Sequence, residues 1–535
     1  MTLLHGYQSR PKKLRDIHRH SLSRRQALRL GFGAAALAGT GALFAQPGLV
    51  AAAMQEGEPV RGGVVRVGVP GSPASFDPTT ETIMEAIWVM EHIYSNLIRM
   101  TPTMELEPEL ALAWEPNETG DQWTVTLRDG VKFHDGSDFT SEDVVATFEH
   151  FLDPAAASQY RSNISMVERV EATSPTEVVF HLSAPFAEFP ETLAHYQAKM
   201  LPAGQMSDLA TNPIGTGPYR LDSHMPGERT VLKRFDEFYD LDGQAFLDEI
   251  QYLAIPEEAT KMAALTSGSV ELVNEVQPTS LPIVQNAPTV VTSEVITGSH
   301  QPIVMDVSQA PFDDPRVREA LKLVVDREGL VAVVLQGHGV AAADQVVPPS
   351  DPMYGEVAIP AANAERAREL LAEAGYADGL TLELHTTPGR AGMLETALTF
   401  KDMAAAAGIN VEVVSHPVDA FWADFWKKTP FFVSNWIGRP TAEMILSQLY
   451  LCDASGTESN WCNPEFDALI MEARATLDPE VRRELLAQAQ QILSEDGPVI
   501  VPYFRSYISG ASPRLQGFSP HPLRYLDLRR AWLDG

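Results

Sequence analysis

The chain has 535 residues, 40 of them Lys or Arg and 71 Asp or Glu, for a formal net charge of −31 at pH 7. Its length suits two or three domains, and its 44% hydrophobic share is that of a globular protein. Two cysteines exclude a disulfide-framework class, the excess of acid excludes nucleic acid as a partner, and beyond residue 50 no apolar run approaches the ~18 residues of a membrane span.

The N-terminus is unlike the rest. Residues 1–29 hold eight basic side chains (Arg10, Lys12, Lys13, Arg15, Arg19, Arg24, Arg25, Arg29) against one acid, Asp16. An uncharged Ala/Gly-rich stretch from Leu30 to Val50 follows and closes on Ala51-Ala52-Ala53, the layout of a cleaved secretory signal. Ser23-Arg24-Arg25-Gln26-Ala27-Leu28 resembles the twin-arginine export signal. A permanent anchor is the alternative, but a glycine-rich, weakly apolar stretch suits it poorly. The reading is a signal over 1–53, whose removal leaves 32 basic and 70 acidic residues.

In the remaining chain, Val64, Val65, Val67 and Val69 between Gly62-Gly63 and Pro70-Gly71 predict a buried strand. Residues 83–100 read as a helix. Trp123, Val125 and Leu127 alternate with polar residues ahead of Asp129-Gly130, a hairpin signal. Thr140 to Asp143 forms a capping box for a helix with Val144, Phe148, Phe151 and Leu152 on one face. Asp314-Pro315 opens a helix with a Val317, Ala320, Leu321, Val324 stripe, and Asn363 and Gly375 bracket another. Leu380, Leu382 and Leu384, a helix over 392–407, and Val411, Val413 and Val414 predict a βαβ unit. Asp478-Pro479 begins a last long helix.

Several blocks share one register. They are Ser75-Phe76-Asp77-Pro78, Tyr94-Ser95-Asn96-Leu97, Pro108-Glu109-Leu110-Ala111, Leu127-Arg128-Asp129-Gly130-Val131-Lys132-Phe133-His134-Asp135-Gly136, Gly215-Thr216-Gly217-Pro218-Tyr219 and Pro311 to Arg318. From about residue 62 to 520 the chain resembles the family 5 type of extracellular solute-binding proteins, which includes the dipeptide-, oligopeptide- and nickel-binding components of ABC importers. The resemblance implies an α/β, two-lobed periplasmic-binding-protein-like fold with an extra subdomain on lobe I, and lobes that close over a ligand by a hinge motion. It places lobe I at 62–295 plus 505–535 and lobe II at 296–504.

Taken by themselves, most of these blocks do structural work. Asp129-Gly130 and Asp135-Gly136 are turn dipeptides, His134 reads as a turn or packing residue, and Gly215 and Gly217 allow a close backbone approach near the hinge. Gly-x-Ser-x-Gly, His-Glu-x-x-His and Cys-x-x-Cys patterns are absent from the sequence, and its scattered histidines suggest no metal site. The chain is therefore read as non-catalytic, with no cofactor.

Cys452 and Cys462 lie ten residues apart in a loop, and an exported protein can keep such a pair oxidised. The ligand site is expected around Asn435, Trp436, Gly438, Arg439 and Thr441, with Ser75 and Tyr94 from the other lobe. In the peptide-binding relatives that the resemblance points to, the Trp is followed by an Asp that receives the peptide amino group; here Arg439 stands in that segment. Its planar guanidinium suits a carboxylate or phosphate, unless it pairs with Glu443, four residues on. Trp436 beside a glycine suits stacking on a ligand, or core packing.

The expectation is a monomeric, periplasmic component of an ABC importer that carries a peptide-like or other polar solute, an anionic one favoured, to its permease. A secreted hydrolase and an exported chemosensory adaptor are the alternatives.

Overall fold

In a computed structural model that describes residues 57–535, the largest sheet orders its strands Val291–Ile296, Tyr503–Ala511, Leu272–Val273, Val64–Val69, Glu249–Ala254, Arg229–Arg234 and Tyr219–Met225. Gly339–Ala341 pairs separately with Tyr503–Ala511. The predicted signal over 1–53, including Arg24 and Arg25, lies outside the described residues.

A second sheet orders Ile409–Ser415, Leu380–Thr386, Phe431–Val433, Ile303–Met305 and Val499–Ile500. A four-stranded sheet of Ala111–Pro116, Gln122–Leu127, Glu177–Leu182 and Val167–Ser174 carries the helix Ser141–Leu152 and forms the subdomain on the first lobe. One apolar core draws on residues 65–272 and 511–531, and another on residues 303–504.

Local chemistry explains most boundaries. The Thr140 amide donates to Asp143 Oδ2 at 2.8 Å and caps its helix. Asp314, Asn363 and Asp478 accept from the first amides of theirs. The βαβ unit is Leu380–Thr386, Met393–Ala405 and Ile409–Ser415, its strands parallel.

Three expectations are corrected. The helix predicted over 83–100 covers only Met84–Ile93, because Tyr94 turns extended and Ile98–Met100 becomes a strand. Asp129-Gly130 does not close a hairpin on its own strand. Gln122–Leu127 pairs instead with Ala111–Pro116 and Glu177–Leu182, and the tight turn lies at Asp135-Gly136, inside the Lys132–Asp138 bridge. Gly215 and Gly217 do allow a close approach, since a Cβ on Gly215 would lie 2.1 Å from the Ile93 carbonyl oxygen, but within the first lobe and away from the crossings.

The chain crosses between lobes twice, side by side. Thr297 donates its amide (3.0 Å) and its hydroxyl (2.7 Å) to the Arg505 carbonyl, and the Arg505 amide donates to Ser299 at 2.8 Å. The C-terminal segment is then locked into the first lobe by buried Arg529, which donates to the carboxylates of Glu109 and Glu91. The glutamate of the Pro108-Glu109-Leu110-Ala111 block thus anchors the chain's return. His134 packs on Phe235 and its ring bonds to the Gly217 carbonyl at 2.9 Å, a packing role.

Candidate functional site

Beyond the strand Phe431–Val433 the chain leaves the second sheet and runs back along the crossing. His300 and Trp436 exchange both backbone bonds at 3.0 Å. One step further a Cβ on Gly298 would lie 2.5 Å from Gly438 Cα, so the two backbones touch only because both residues are glycine. This contact sets where the next side chain, Arg439, enters the space between the lobes.

A cleft of about 710 Å³ lies there. The first lobe contributes residues between Thr82 and Gln197, together with Leu523 and Tyr525; the second contributes Ile437, Gly438, Arg439, Glu443, Gln448 and Arg474, among others. Arg439 is half-buried. Its Nε donates to Gln448 Oε1 at 2.9 Å and its Nη1 to the Ile437 carbonyl at 3.2 Å, and the guanidinium lies 5.7 Å from the centre of the Trp436 ring.

Glu443 does not pair with Arg439. Its carboxylate is taken by Arg474, through Nε at 2.9 Å and through Nη2. Among the described residues Arg439 has no acidic partner, and the charged side chains lining the cleft leave one positive charge in excess.

Burial pushes the Arg439 guanidinium down from its ordinary value, opposed by the nearby phenols of Tyr196 and Tyr525. Burial first, and Arg439 second, bring His195 down to about 3, so it is neutral. Burial also brings His300 down to about 4, with Arg439 adding to the effect. Neutral neighbours around a desolvated cation make a site that attracts anions.

Asn435 and Trp436 line a different cavity of about 320 Å³, with Trp422, Trp426 and Arg390. Glu458 organises it. Its carboxylate accepts from Trp436 Nε1 at 2.9 Å, Ser434 Oγ at 2.6 Å and Trp426 Nε1. Burial raises the Glu458 carboxyl above its ordinary value, and these three donors oppose the rise. The loop that holds Glu458 is closed by the Cys452–Cys462 disulfide, with Cα atoms 4.4 Å apart.

The seven expected site residues therefore separate. Gly438 and Arg439 line the cleft, and Asn435 and Trp436 the neighbouring cavity. Thr441 caps the helix Ala442–Tyr450, accepting from Met444 N at 3.2 Å, and its hydroxyl meets Glu188. Tyr94 is a core residue, fully buried, its hydroxyl donated to the Phe76 carbonyl at 3.0 Å. Ser75 Oγ accepts from the Asp77 amide at 3.1 Å and lines neither space. Sequence reasoning missed Glu458, Arg390, Arg474, Trp422 and Trp426. Only the two tryptophans carried a signal, a four-residue spacing that puts them on one face of a helical turn.

Two lobes joined by adjacent crossings, with a cationic cleft between them, define a protein that traps a small molecule. The model of the bacterial extracellular solute-binding proteins, family 5 middle, matches residues 105–457, and the chain belongs to that family. It is 28% identical over 481 residues to the glutathione-binding protein GsiB of Escherichia coli (strain K12), a match that covers 85% of this chain and 91% of that one. It is 27% identical over 495 residues to the dipeptide-binding protein of the same strain, with the same coverages. Among solved structures, HbpA2 from Haemophilus parasuis superimposes with a TM-score of 0.82 at 22% identity, over 88% of this chain and 100% of that one. The fold is the two-lobed periplasmic-binding-protein architecture, and the chain is an extracellular solute-binding protein.

Proposed function

We propose that this chain, exported to the periplasm as a monomer, traps an anionic polar organic solute between its lobes and delivers it to a membrane permease. The lobes are taken as 62–295 plus 505–535 and 296–504. The observation that carries the reading is Arg439, half-buried in the interlobe cleft with no acidic partner among the described residues, while Arg474 in the same cleft is paired. An unpaired, partly desolvated guanidinium is costly alone and gains on meeting a carboxylate or phosphate. Glutathione and dipeptides, named for the relatives, carry carboxylates, and a conjugate with more of them fits better still. A free ammonium group placed at Arg439 meets repulsion. The pairing of Glu443 with Arg474 supports the reading, because it removes the acid that would have neutralised Arg439.

The family is one of binding proteins, and we read the chain as non-catalytic. Export by the twin-arginine route is tested by replacing Arg24 and Arg25 with Lys, which stops delivery of the mature form. The solute is identified by mass spectrometry of what the purified protein carries. Calorimetry then compares glutathione, opine-like conjugates, carboxylated sugars and plain dipeptides. Anionic solutes bind best; a preference for cationic ones would refute the assignment.

A further inference from the structure

Beside the cleft the lobes meet along a seam. The Ala187 amide of the first lobe donates to the Arg474 carbonyl of the second at 2.8 Å. Leu477 of the second lobe packs into the core of the first, where a Cβ on Gly120 would lie 3.2 Å from it. Glu188 Oε1 of the first lobe lies 3.6 Å from Arg482 Nε of the second, and the two side chains are only 2% and 9% exposed.

The charges along this seam do not balance. The first lobe brings Glu188 and Glu191; the second brings Glu443 and Asp351, with Arg474 and Arg482. Arg474 is engaged with Glu443. Among the described residues Arg482 alone is left to face Glu188 and Glu191, and Asp351 adds a further acid near Glu191. Neither Glu188 Oε2 nor Glu191 Oε2 receives a hydrogen bond from any described group, although both atoms are buried. Burying carboxylates in excess over their counter-charges is far less costly when one of them holds a proton.

We propose that the seam is a proton-dependent latch: closing the lobes takes up a proton at the Glu188–Glu191 pair, and loss of that proton loosens the closed form. The proposal rests on the hinge motion assumed for a solute trap. When the lobes part, Glu188 and Glu191 leave Arg482, Glu443 and Asp351 and regain water, so their carboxyls return toward the ordinary range and release the proton.

The direction of the effect follows. In the closed form burial, and then Glu191 and Glu443, push Glu188 well up, while burial brings Glu191 to about 7, with Arg482 opposing in both cases. Asp351 is brought to about 7 by burial, with Glu191 adding to the rise. Near pH 4.5, the ordinary glutamate value, the closed form holds its proton without penalty. As pH rises from there toward 7 the closed form weakens relative to the open one, by at most about tenfold per pH unit for each proton taken up. The same dependence appears in any affinity that requires closure.

The test compares the solute-free protein with the protein holding the solute recovered from its own purification. Spin labels are placed on exposed positions of the two lobes through Glu171→Cys and Glu369→Cys, the native cysteines being bonded to each other. Interlobe distances are then measured from pH 5 to 8. The wild-type background shifts toward longer distances as pH rises, and Glu188→Gln with Glu191→Gln stays short throughout. Both substitutions remove buried charge without changing shape, so the fold is retained; Glu191→Gln alone gives an intermediate curve. An unchanged pH dependence in the double variant overturns the latch. A distance that ignores pH but shortens with the solute recovered from the purified protein also overturns it, and leaves the binding reading standing. A distance that ignores both overturns both.

Discussion

Arg474 donates both Nε and Nη2 to one carboxylate oxygen of Glu443, and this pairing leaves Arg439 without an acid on the same side of the cleft. Two arginines that line one cleft thus have opposite duties. One closes a structural ion pair, and the other keeps its charge available.

Arg439→Ala is expected to weaken an anionic solute roughly ten- to a hundredfold, the value of a charge-assisted hydrogen bond of about 1.5 to 3 kcal/mol. The melting temperature without solute changes little, since among the described residues Arg439 donates only to Gln448 and nearby carbonyls. Calorimetry with thermal unfolding reads both quantities. Unaltered affinity would remove Arg439 from the site.

Glu443→Gln has the reverse profile. It strips the partner from Arg474 at a buried position, which costs about 1 to 3 kcal/mol of stability. Urea unfolding measures it. A variant as stable as the parent would show that the pair is dispensable.

Glu458→Ala removes the acceptor shared by Trp426, Trp436 and Ser434. Three part-buried donors lose their partner, at about 1 to 3 kcal/mol for the first of them left unsatisfied. Tryptophan fluorescence reports the loosening directly. Retained emission and retained affinity together would count against a positioning role for Glu458.

Cys462→Ser opens the ring that holds Glu458. Chain entropy puts the loss at roughly 2 to 3 kcal/mol for a loop of this length, and solute binding weakens with it. Intact mass of the native protein lies two hydrogens below that of its reduced form. Full thiol labelling without reductant would deny the bond.

Acid destabilises the fold through its histidines. Burial brings His92, His134, His300 and His521 to about 4 and His195 to about 3, against about 6.5 in an unfolded chain. The unfolded state therefore binds more protons, and the stability present above pH 6.5 is lost as pH falls toward 4. The raised carboxyls at the seam act in the opposite direction over a similar range, but only Glu188, Glu191 and Asp351 are of that kind there. Melting temperature against pH shows the loss, and His195→Gln flattens its share. A level curve from 6.5 to 4 would contradict this account.

What could be read from sequence was what neighbouring residues decide. Asp314, Asn363 and Asp478 cap helices through bonds two or three residues long, and the leucines at 380, 382 and 384 alternate because one face of their strand is buried. Residues 94–100 escaped, because the Gly217 amide, far along the chain, takes the Ile93 carbonyl and the helix stops there. The cleft divides in the same way. Trp436 and Arg439 stand out within a short motif, whereas Arg474 and Glu458 matter only through partners 31 and 22 residues away. Tyr94 was misjudged because a conspicuous motif residue can be conspicuous for packing.

The exchange of backbone bonds between His300 and Trp436, and the bare contact of Gly298 with Gly438, involve no side chain beyond hydrogen. The strip that lines the cleft is thus geared to the interlobe crossing by main chain alone. Side chains on that strip can be replaced, Arg439 among them, without rebuilding the gear. A scaffold of this kind can change its cargo in a few substitutions while its mechanical output stays the same, which lets one lineage of receptors diversify against a constant transport machine.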